Sequence, residues 1–205
     1  MIIMGIDPGL ASTGVGVIAG DGKGGFRALF SAYVTTHERH PMPERLQKIF
    51  DLVSRTIADH EPAAISIESI FFAKNVRSSV MMAHGRGAAI LAASQSRVAL
   101  SEYTPLEIKK SVVGKGHATK DQVKQMVTTL LALHTAPRSD HEADALAAAL
   151  CHAYRTRLVI PGGTATDRGH AEKDSRTGDA GVDARKAILA LAAARGSRRR
   201  RRRNP

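Results

Sequence analysis

Cysteine and aromatic residues are scarce in this chain, and tryptophan is absent. The single cysteine, Cys151, excludes a disulfide within the chain and fits a reducing compartment. Aromatic residues make up only 4% of the sequence against 43% for all hydrophobic residues, so aliphatic side chains must fill the core. With 205 residues, the chain is long enough for one domain of ordinary size with a proper core.

Long hydrophobic runs are also missing. No apolar stretch approaches the roughly 20 residues needed to cross a bilayer. The N-terminus lacks the basic-then-apolar pattern of a signal peptide, because Asp7 and a turn interrupt its first apolar stretch. We therefore expect a soluble, cytoplasmic protein.

Acidic residues are outnumbered, with 19 Asp and Glu against 30 Lys and Arg, for a net charge of +11. The imbalance is greatest in residues 161–205, which carry 12 Lys and Arg against 5 Asp and Glu, or +7. Six consecutive arginines, Arg198 to Arg203, lie near the end. A polyanionic partner, above all nucleic acid, is the expected consequence. A solubilising tail is the alternative.

The order of apolar patterns predicts a mixed α/β fold. Three strands at the start form an antiparallel meander, and a helix, a strand, a helix, a strand and further helices follow. We expect one five-stranded sheet with helices on both faces, and Thr119 and either Ser139 or Asp140 as helix caps. The predicted domain covers residues 1–157. Residues 158–205 are rich in Gly, Asp and Arg without sustained periodicity, so they are predicted to be a disordered basic tail.

Isolated acids end two of the predicted strands. Asp7 closes the first strand and Glu68 closes the fourth, so both can face one edge of the sheet. His141 and Asp144 are three residues apart on the last helix and share a face. Clustered carboxylates suit Mg²⁺ or Mn²⁺. Two such ions about 4 Å apart can activate water and stabilise a leaving 3′-oxygen, as nucleases require.

Each of these residues also has an ordinary structural interpretation. Asp7 precedes Pro-Gly and can bond its own backbone in a turn. Glu68 can cap a helix or form a salt bridge. His141 and Asp144 can be first-turn groups that the helix dipole favours. The order of the acids along the chain favours the catalytic interpretation.

Four stretches resemble the RuvC-type Holliday-junction resolvases, the crossover junction endodeoxyribonucleases: "GIDPGLASTGVGVI", "ISIESIFFAKN", "IKKSVVGKGHATKDQV" and "EADALAAAL". The resemblance covers about residues 1–157. It implies a ribonuclease-H-like fold, a homodimer, and Mg²⁺-dependent paired nicking of four-way DNA junctions. It also implies cooperation with a branch-migration helicase complex.

The family's catalytic motif falls on Asp7, Glu68, His141 and Asp144 of this sequence. The family usually has Asp at the position of His141, so the chain departs from the pattern there. A neutral His can still bind a metal ion or carry a proton.

Further residues fit DNA binding. Phe71 matches the family's wedge position and is interpreted as stacking on an unpaired base, whereas a buried core position is as reasonable for Phe72. Lys109 and Lys120 match basic family positions that contact phosphates, and Lys115 lies between them. A solvated basic face is the alternative for these lysines. The helix "VMMAHGRGAAILAAS" is rich in small residues, which fits either a dimer interface or a plain core helix.

Three other functions compete. An actin-like sugar kinase or ATPase shares the strand–turn–strand opening, but it needs a second lobe that about 160 folded residues cannot supply. A non-catalytic junction-binding protein is the second alternative, with a site that has degenerated at His141. A related nuclease acting on structured RNA is the third.

Overall fold

The computed structural model describes residues 1–22, 24–69 and 76–157, without the side chains of residues 76–78 and 157. Residues Met1–Tyr154 form one compact unit, and the remainder of the chain is assigned to a second. Phe71, Phe72 and the predicted tail, residues 158–205, lie outside the described residues. Among the helices of the described part, none combines the length and apolar character that crossing a membrane requires.

Five strands form one mixed sheet. They are β1 (Ile2–Asp7), β2 (Ser12–Gly20), β3 (Phe26–Thr35), β4 (Ala64–Glu68) and β5 (Leu100–Tyr103), in the spatial order β3-β2-β1-β4-β5. The first three pair antiparallel, whereas β4 runs parallel to β1 and β5 runs parallel to β4. The predicted five-stranded mixed sheet is confirmed.

The central position of β1 follows from its nearly continuous apolar sequence. Ile3, Met4 and Ile6 are fully buried, as expected for a strand covered on both faces. The parallel register pairs Ile6 with Ile67, so the next residues along the two strands are Asp7 and Glu68. The carboxyl ends of β1 and β4 therefore place both predicted acids at the same edge of the sheet.

Five helices complete the described fold: α1 (Met42–His60), α2 (Val76–Gln95), α3 (Pro105–Val113), α4 (Lys120–Leu130) and α5 (Asp140–Arg157). The hydroxyl of Thr119 accepts a hydrogen bond from the amide of Gln122 at 3.3 Å, which confirms the predicted cap of α4. At α5 the cap is Ser139, whose hydroxyl accepts from the amide of Glu142 at 3.1 Å. These caps satisfy amides that a helix start leaves without a partner.

Helices cover both faces of the sheet, as predicted. α1 and α2 pack on one face in a core with Met4, Ile6 and Ile65. α5 packs on the other face, where Gly5 lies directly beneath Ala145. The two layers bury the middle of β1 and leave its two end residues, Ile2 and Asp7, partly exposed.

Candidate active site

Two glycines bring α5 unusually close to the strands beside Asp7. Gly14 is the antiparallel partner of Asp7, and a Cβ atom there would overlap the carbonyl oxygen of His141. A Cβ atom at Gly5 would likewise overlap the carbonyl oxygen of Ala145. Only glycine permits this helix-on-sheet approach. The contact fixes the first two turns of α5, with His141 and Asp144, over the end of β1.

His141 and Asp7 are hydrogen-bonded. The Nδ1 atom of His141 lies 2.7 Å from Oδ2 of Asp7, with the two side chains 41% and 17% exposed. This bond to Asp7 raises the pKa of His141 above 6.5; partial burial opposes the shift, and the negative charges of Asp7 and Asp144 add to it. In the metal-free protein the site therefore favours an imidazolium paired with a carboxylate.

The carboxyl groups of Glu68 and Asp144 both have a raised pKa, so they lose their protons less readily than exposed carboxyl groups do. Burial, followed by the negative charges of Asp7 and Asp144, raises the pKa of Glu68 to about 8. Burial, followed by the charge of Asp7, raises the pKa of Asp144 to about 6. These mutual effects place Asp7, Glu68 and Asp144 in one electrostatic cluster. At neutral pH, burial and the neighbouring negative charges therefore keep Glu68 largely protonated in the metal-free protein.

Divalent cations suit both the ligand atoms and the negative charge of this cluster. Three carboxylates and an imidazole are oxygen and nitrogen donors suited to Mg²⁺ or Mn²⁺. A cation would offset the negative charges of Asp7 and Asp144, which add to burial in raising the pKa of Glu68. Across residues 1–22, 24–69 and 76–157, however, no three His, Cys, Asp or Glu side chains are placed to hold one ion. The hydrogen bond between Asp7 and His141 occupies Oδ2 and Nδ1, two atoms that could otherwise bind a cation.

Two of the three predicted DNA-binding lysines lie within electrostatic reach of the acids. Lys109 on α3 and Lys120 at the start of α4 both lower the pKa of Glu68, against the larger effect of burial. The Nζ atom of Lys120 is 3.4 Å from Oδ2 of Asp140. Lys115 is exposed in the loop between α3 and α4. Phe71 falls outside the described residues, so its predicted stacking role stays a prediction.

Known proteins with the same sequence pattern identify the family. The sequence model of the family "Crossover junction endodeoxyribonuclease RuvC" matches residues 3–152. The chain belongs to the RuvC family. RuvC of Ruminiclostridium cellulolyticum is 46% identical over 158 residues, which cover 77% of this chain and 95% of that protein. RuvC of Alkaliphilus oremlandii is 45% identical over 154 residues, which cover 75% and 93%.

Solved RuvC structures share the fold. The structure described as T. thermophilus RuvC in complex with Holliday junction substrate superposes with a TM-score of 0.73 at 36% identity, covering 78% of this chain and 96% of that one. The yeast mitochondrial Holliday junction resolvase Ydc2 is 13% identical with a TM-score of 0.51, over 77% of this chain and 86% of that one, and supports the fold alone. The predicted ribonuclease-H-like RuvC fold is confirmed, and the actin-like kinase alternative is wrong.

RuvC nucleases depend on divalent metal in general, and the clustered carboxylates predict how this chain behaves without metal. Glu68, Asp144 and His141 all have a raised pKa in the folded protein. A raised folded pKa stabilises the fold below the unfolded pKa, and that stability is lost as pH rises through the folded pKa. Between about pH 4.5 and 8, the metal-free protein should therefore lose stability through Glu68.

Glu68→Gln removes this ionisation. In chelator at pH 8, we expect the variant to be more stable than the unmodified protein by roughly 2 kcal/mol, because Glu68 is partly solvated, or about 4–8 °C in Tm. Thermal unfolding of both proteins from pH 5 to 9 measures this difference in stability. Glu38→Gln, at an exposed loop residue, is the matched control. Equal or lower Tm for Glu68→Gln across the whole range, with the control unchanged, contradicts a raised pKa for Glu68 in the folded protein.

Proposed function

We propose that the chain is a metal-dependent endonuclease that resolves four-way DNA junctions by paired symmetric nicks during recombination and repair. The observation that carries the proposal is the placement of Asp7, Glu68, Asp144 and His141 at one sheet edge, with Lys109 and Lys120 beside them. Membership of the RuvC family supports the reaction class.

The four side chains are proposed to hold Mg²⁺, with Mn²⁺ as a substitute and two ions per subunit. When bound, such ions activate water and stabilise the leaving 3′-oxygen. Asp7 and Glu68 would contribute from strand ends, whereas His141 and Asp144 would contribute from the first two turns of α5. His141 must lose its proton before Nδ1 can be a ligand, so the chain itself supplies a proton-dependent ligand.

The lysines are proposed to hold the DNA backbone. The positive charges of Lys109 and Lys120 lie close enough to lower the pKa of Glu68, so phosphates bound by them would lie next to the acids. Lys115, in the exposed loop between α3 and α4, is proposed to bind a phosphate farther along the strand. Contacts of this kind fix the register of DNA without reading its sequence.

Cleavage of a synthetic four-way junction, with and without Mg²⁺, tests the proposed activity. A linear duplex of the same sequence and a structured RNA are the comparison substrates. We expect cleavage of the junction alone, and only with the metal. Binding without cleavage at any metal concentration favours the non-catalytic alternative, and preferential cleavage of the RNA favours the RNA-processing alternative.

Paired nicks require two active sites, so a homodimer is proposed. α2 presents exposed Val80, Met82 and Leu91, and an apolar groove of about 570 Å³ lies between α1 and α2. Exposed apolar surface of this kind fits an interface between subunits. Sedimentation of the protein at micromolar concentration measures the assembly. A branch-migration helicase complex is the further partner that the family resemblance suggests.

Phe71 is proposed to stack on an unpaired base at the junction centre. Phe71→Ala should lower cleavage more than binding, because a stacked base contributes about 1–3 kcal/mol and the remaining basic contacts still hold the junction. Fluorescence of 2-aminopurine at the junction centre measures base unstacking, with Phe72→Ala as the control. An equal fluorescence rise with the unmodified protein and Phe71→Ala would show that Phe71 is not the wedge.

Residues 1–157 are proposed as the nuclease domain and residues 158–205 as a DNA tether. Removing residues 161–205 takes away a charge of +7 but no candidate site residue. The shortened protein should nick junctions at low salt with unchanged sequence preference. Its affinity for plain duplex should fall with a shallower salt slope, by about 0.9 for each lost phosphate contact. Identical slopes for both forms would point to a protein partner for the tail instead.

A further inference from the structure

Two consecutive residues of α2, Gly85 and Arg86, contact the ends of both acid-bearing strands. A Cβ atom at Gly85 would lie 2.7 Å from the amide nitrogen of Leu10 and 2.8 Å from the carbonyl carbon of Gly9. Both are main-chain atoms in the turn that follows Asp7, so they cannot move aside as a side chain can. α2 therefore packs directly on the turn that leaves β1.

Arg86 reaches the end of the other strand. Its Nε atom lies 3.4 Å from the carbonyl oxygen of Glu68, and its Nη2 atom lies 2.6 Å from Oε2 of Glu102. Glu102 is the β5 residue paired with Ile67, which directly precedes Glu68. One guanidinium group thus connects α2 to β4 and β5 at the point where Glu68 leaves the sheet.

Arg86 is the more buried member of its ion pair with Glu102. Its side chain is 17% exposed, whereas that of Glu102 is 51% exposed. Among the described residues, Nη2 has no hydrogen-bond partner, so its contact with Glu102 is an ion pair. A buried guanidinium needs a fixed countercharge, and Glu102 supplies it. With one end anchored this way, Nε is held toward the Glu68 carbonyl.

We propose that Arg86 is a positioning residue for the acid cluster: anchored by Glu102, it fixes the carboxyl end of β4 and so sets where the Glu68 carboxylate lies relative to Asp7. The proposal rests on the proposed metal-dependent nuclease function of this site. Neither Arg86 nor Glu102 would touch metal or DNA; both act through the Glu68 peptide. Groups that support metal ligands in this way typically change metal affinity or activity by about 10- to 100-fold when removed.

A direct phosphate contact is the competing role for an arginine next to a nuclease site. The geometry disfavours it, because the guanidinium faces Glu102 and the Glu68 carbonyl rather than open solvent. The two roles predict different losses. A phosphate contact would lower junction affinity and its salt slope, whereas a positioning role would change metal dependence at constant junction affinity.

The test compares Arg86→Met, Glu102→Gln and the double variant with the unmodified full-length protein. Arg55→Met, at an exposed arginine of α1, and Glu38→Gln are matched controls. Three quantities are measured: the Mg²⁺ concentration for half-maximal cleavage, the Mn²⁺ concentration for half of the metal-induced rise in Tm, and junction affinity in chelator. Glu102→Gln alters a half-exposed side chain, so it keeps the test valid if Arg86→Met folds poorly.

We expect Arg86→Met to raise both metal concentrations about 10-fold or more, with junction affinity within about 2-fold of the unmodified protein. Glu102→Gln should shift them in the same direction by less. The double variant should be no worse than Arg86→Met, because the two residues act in one chain of contacts. Unchanged metal dependence in both single variants, additive effects in the double variant, or a loss confined to junction affinity overturns the proposal. If the unmodified protein fails to cleave, the proposed function fails instead.

Discussion

Asp7→Asn is expected to abolish junction cleavage while junction binding stays nearly intact. Asp7 lies at the centre of the cluster: it bonds His141 and its charge raises the pKa of both Glu68 and Asp144. The amide keeps the shape but loses the charge that a divalent cation needs. A metal-stabilised transition state depends on several kcal/mol of charge stabilisation, and each 1.36 kcal/mol is tenfold in rate, so we expect a loss of at least about 100-fold.

Binding should survive because the groups proposed to hold the DNA are basic side chains such as Lys109 and Lys120, which this change does not touch. Removing a negative charge beside the phosphates should leave affinity equal or slightly higher. Single-turnover cleavage and gel-shift affinity in chelator separate the two quantities, and Glu38→Gln is the control. If Asp7→Asn cleaves at the rate of the unmodified protein, the assignment of the site is wrong.

His141→Ala is expected to lower cleavage severely, again by about 100-fold, and His141→Asp is expected to retain activity. The alanine removes the only nitrogen donor among the four groups and leaves Asp7 without its 2.7 Å partner. The aspartate restores the usual four-acid set of the family at this position. Rates at saturating Mg²⁺, with junction affinity measured alongside, distinguish the two variants.

The pH profile adds an independent test of His141. An unperturbed histidine has a pKa of about 6.5, but the bond to Asp7 raises the pKa of His141 in the metal-free protein. Protonation must therefore begin to compete with metal binding at a higher pH than a free histidine would allow. The acidic limb of the pH–rate profile for cleavage should move to lower pH as the Mg²⁺ concentration rises. This limb should flatten in His141→Asp. A fully active His141→Ala enzyme would show that Asp7, Glu68 and Asp144 suffice.

The sheet and the acids at its edge could be predicted because they depend on local patterns. Nearly continuous apolar runs mark β1 and β4, and parallel pairing then brings their final residues, Asp7 and Glu68, to one edge. Thr119 was identifiable as a cap because a hydroxyl residue at a helix start has one well-defined role. α2 begins at Val76 rather than at the predicted Val80, since residues 76–79 carry no clear apolar period.

Contacts between distant segments could not be predicted from the sequence. The bond between Asp7 and His141 depends on how closely α5 approaches the sheet, which Gly5 and Gly14 decide. Glycines at alternating strand positions on the face of Asp7 are the signal in the sequence for this close approach. The raised pKa of Glu68 follows from burial and from neighbours on other elements. Arg86 has no signal of its own, because its partners lie on β4 and β5.

Cleavage of a supercoiled plasmid that extrudes a four-way junction, with and without Mg²⁺, is the sharpest test of the proposed paired nicking. Paired symmetric nicks convert this substrate to a linear product, whereas a single nick yields an open circle. We predict linear product with Mg²⁺, no product in chelator, and none from Asp7→Asn under either condition. Cleavage that persists in chelator, or an open circle as the only product, would contradict the proposed paired metal-dependent nicking.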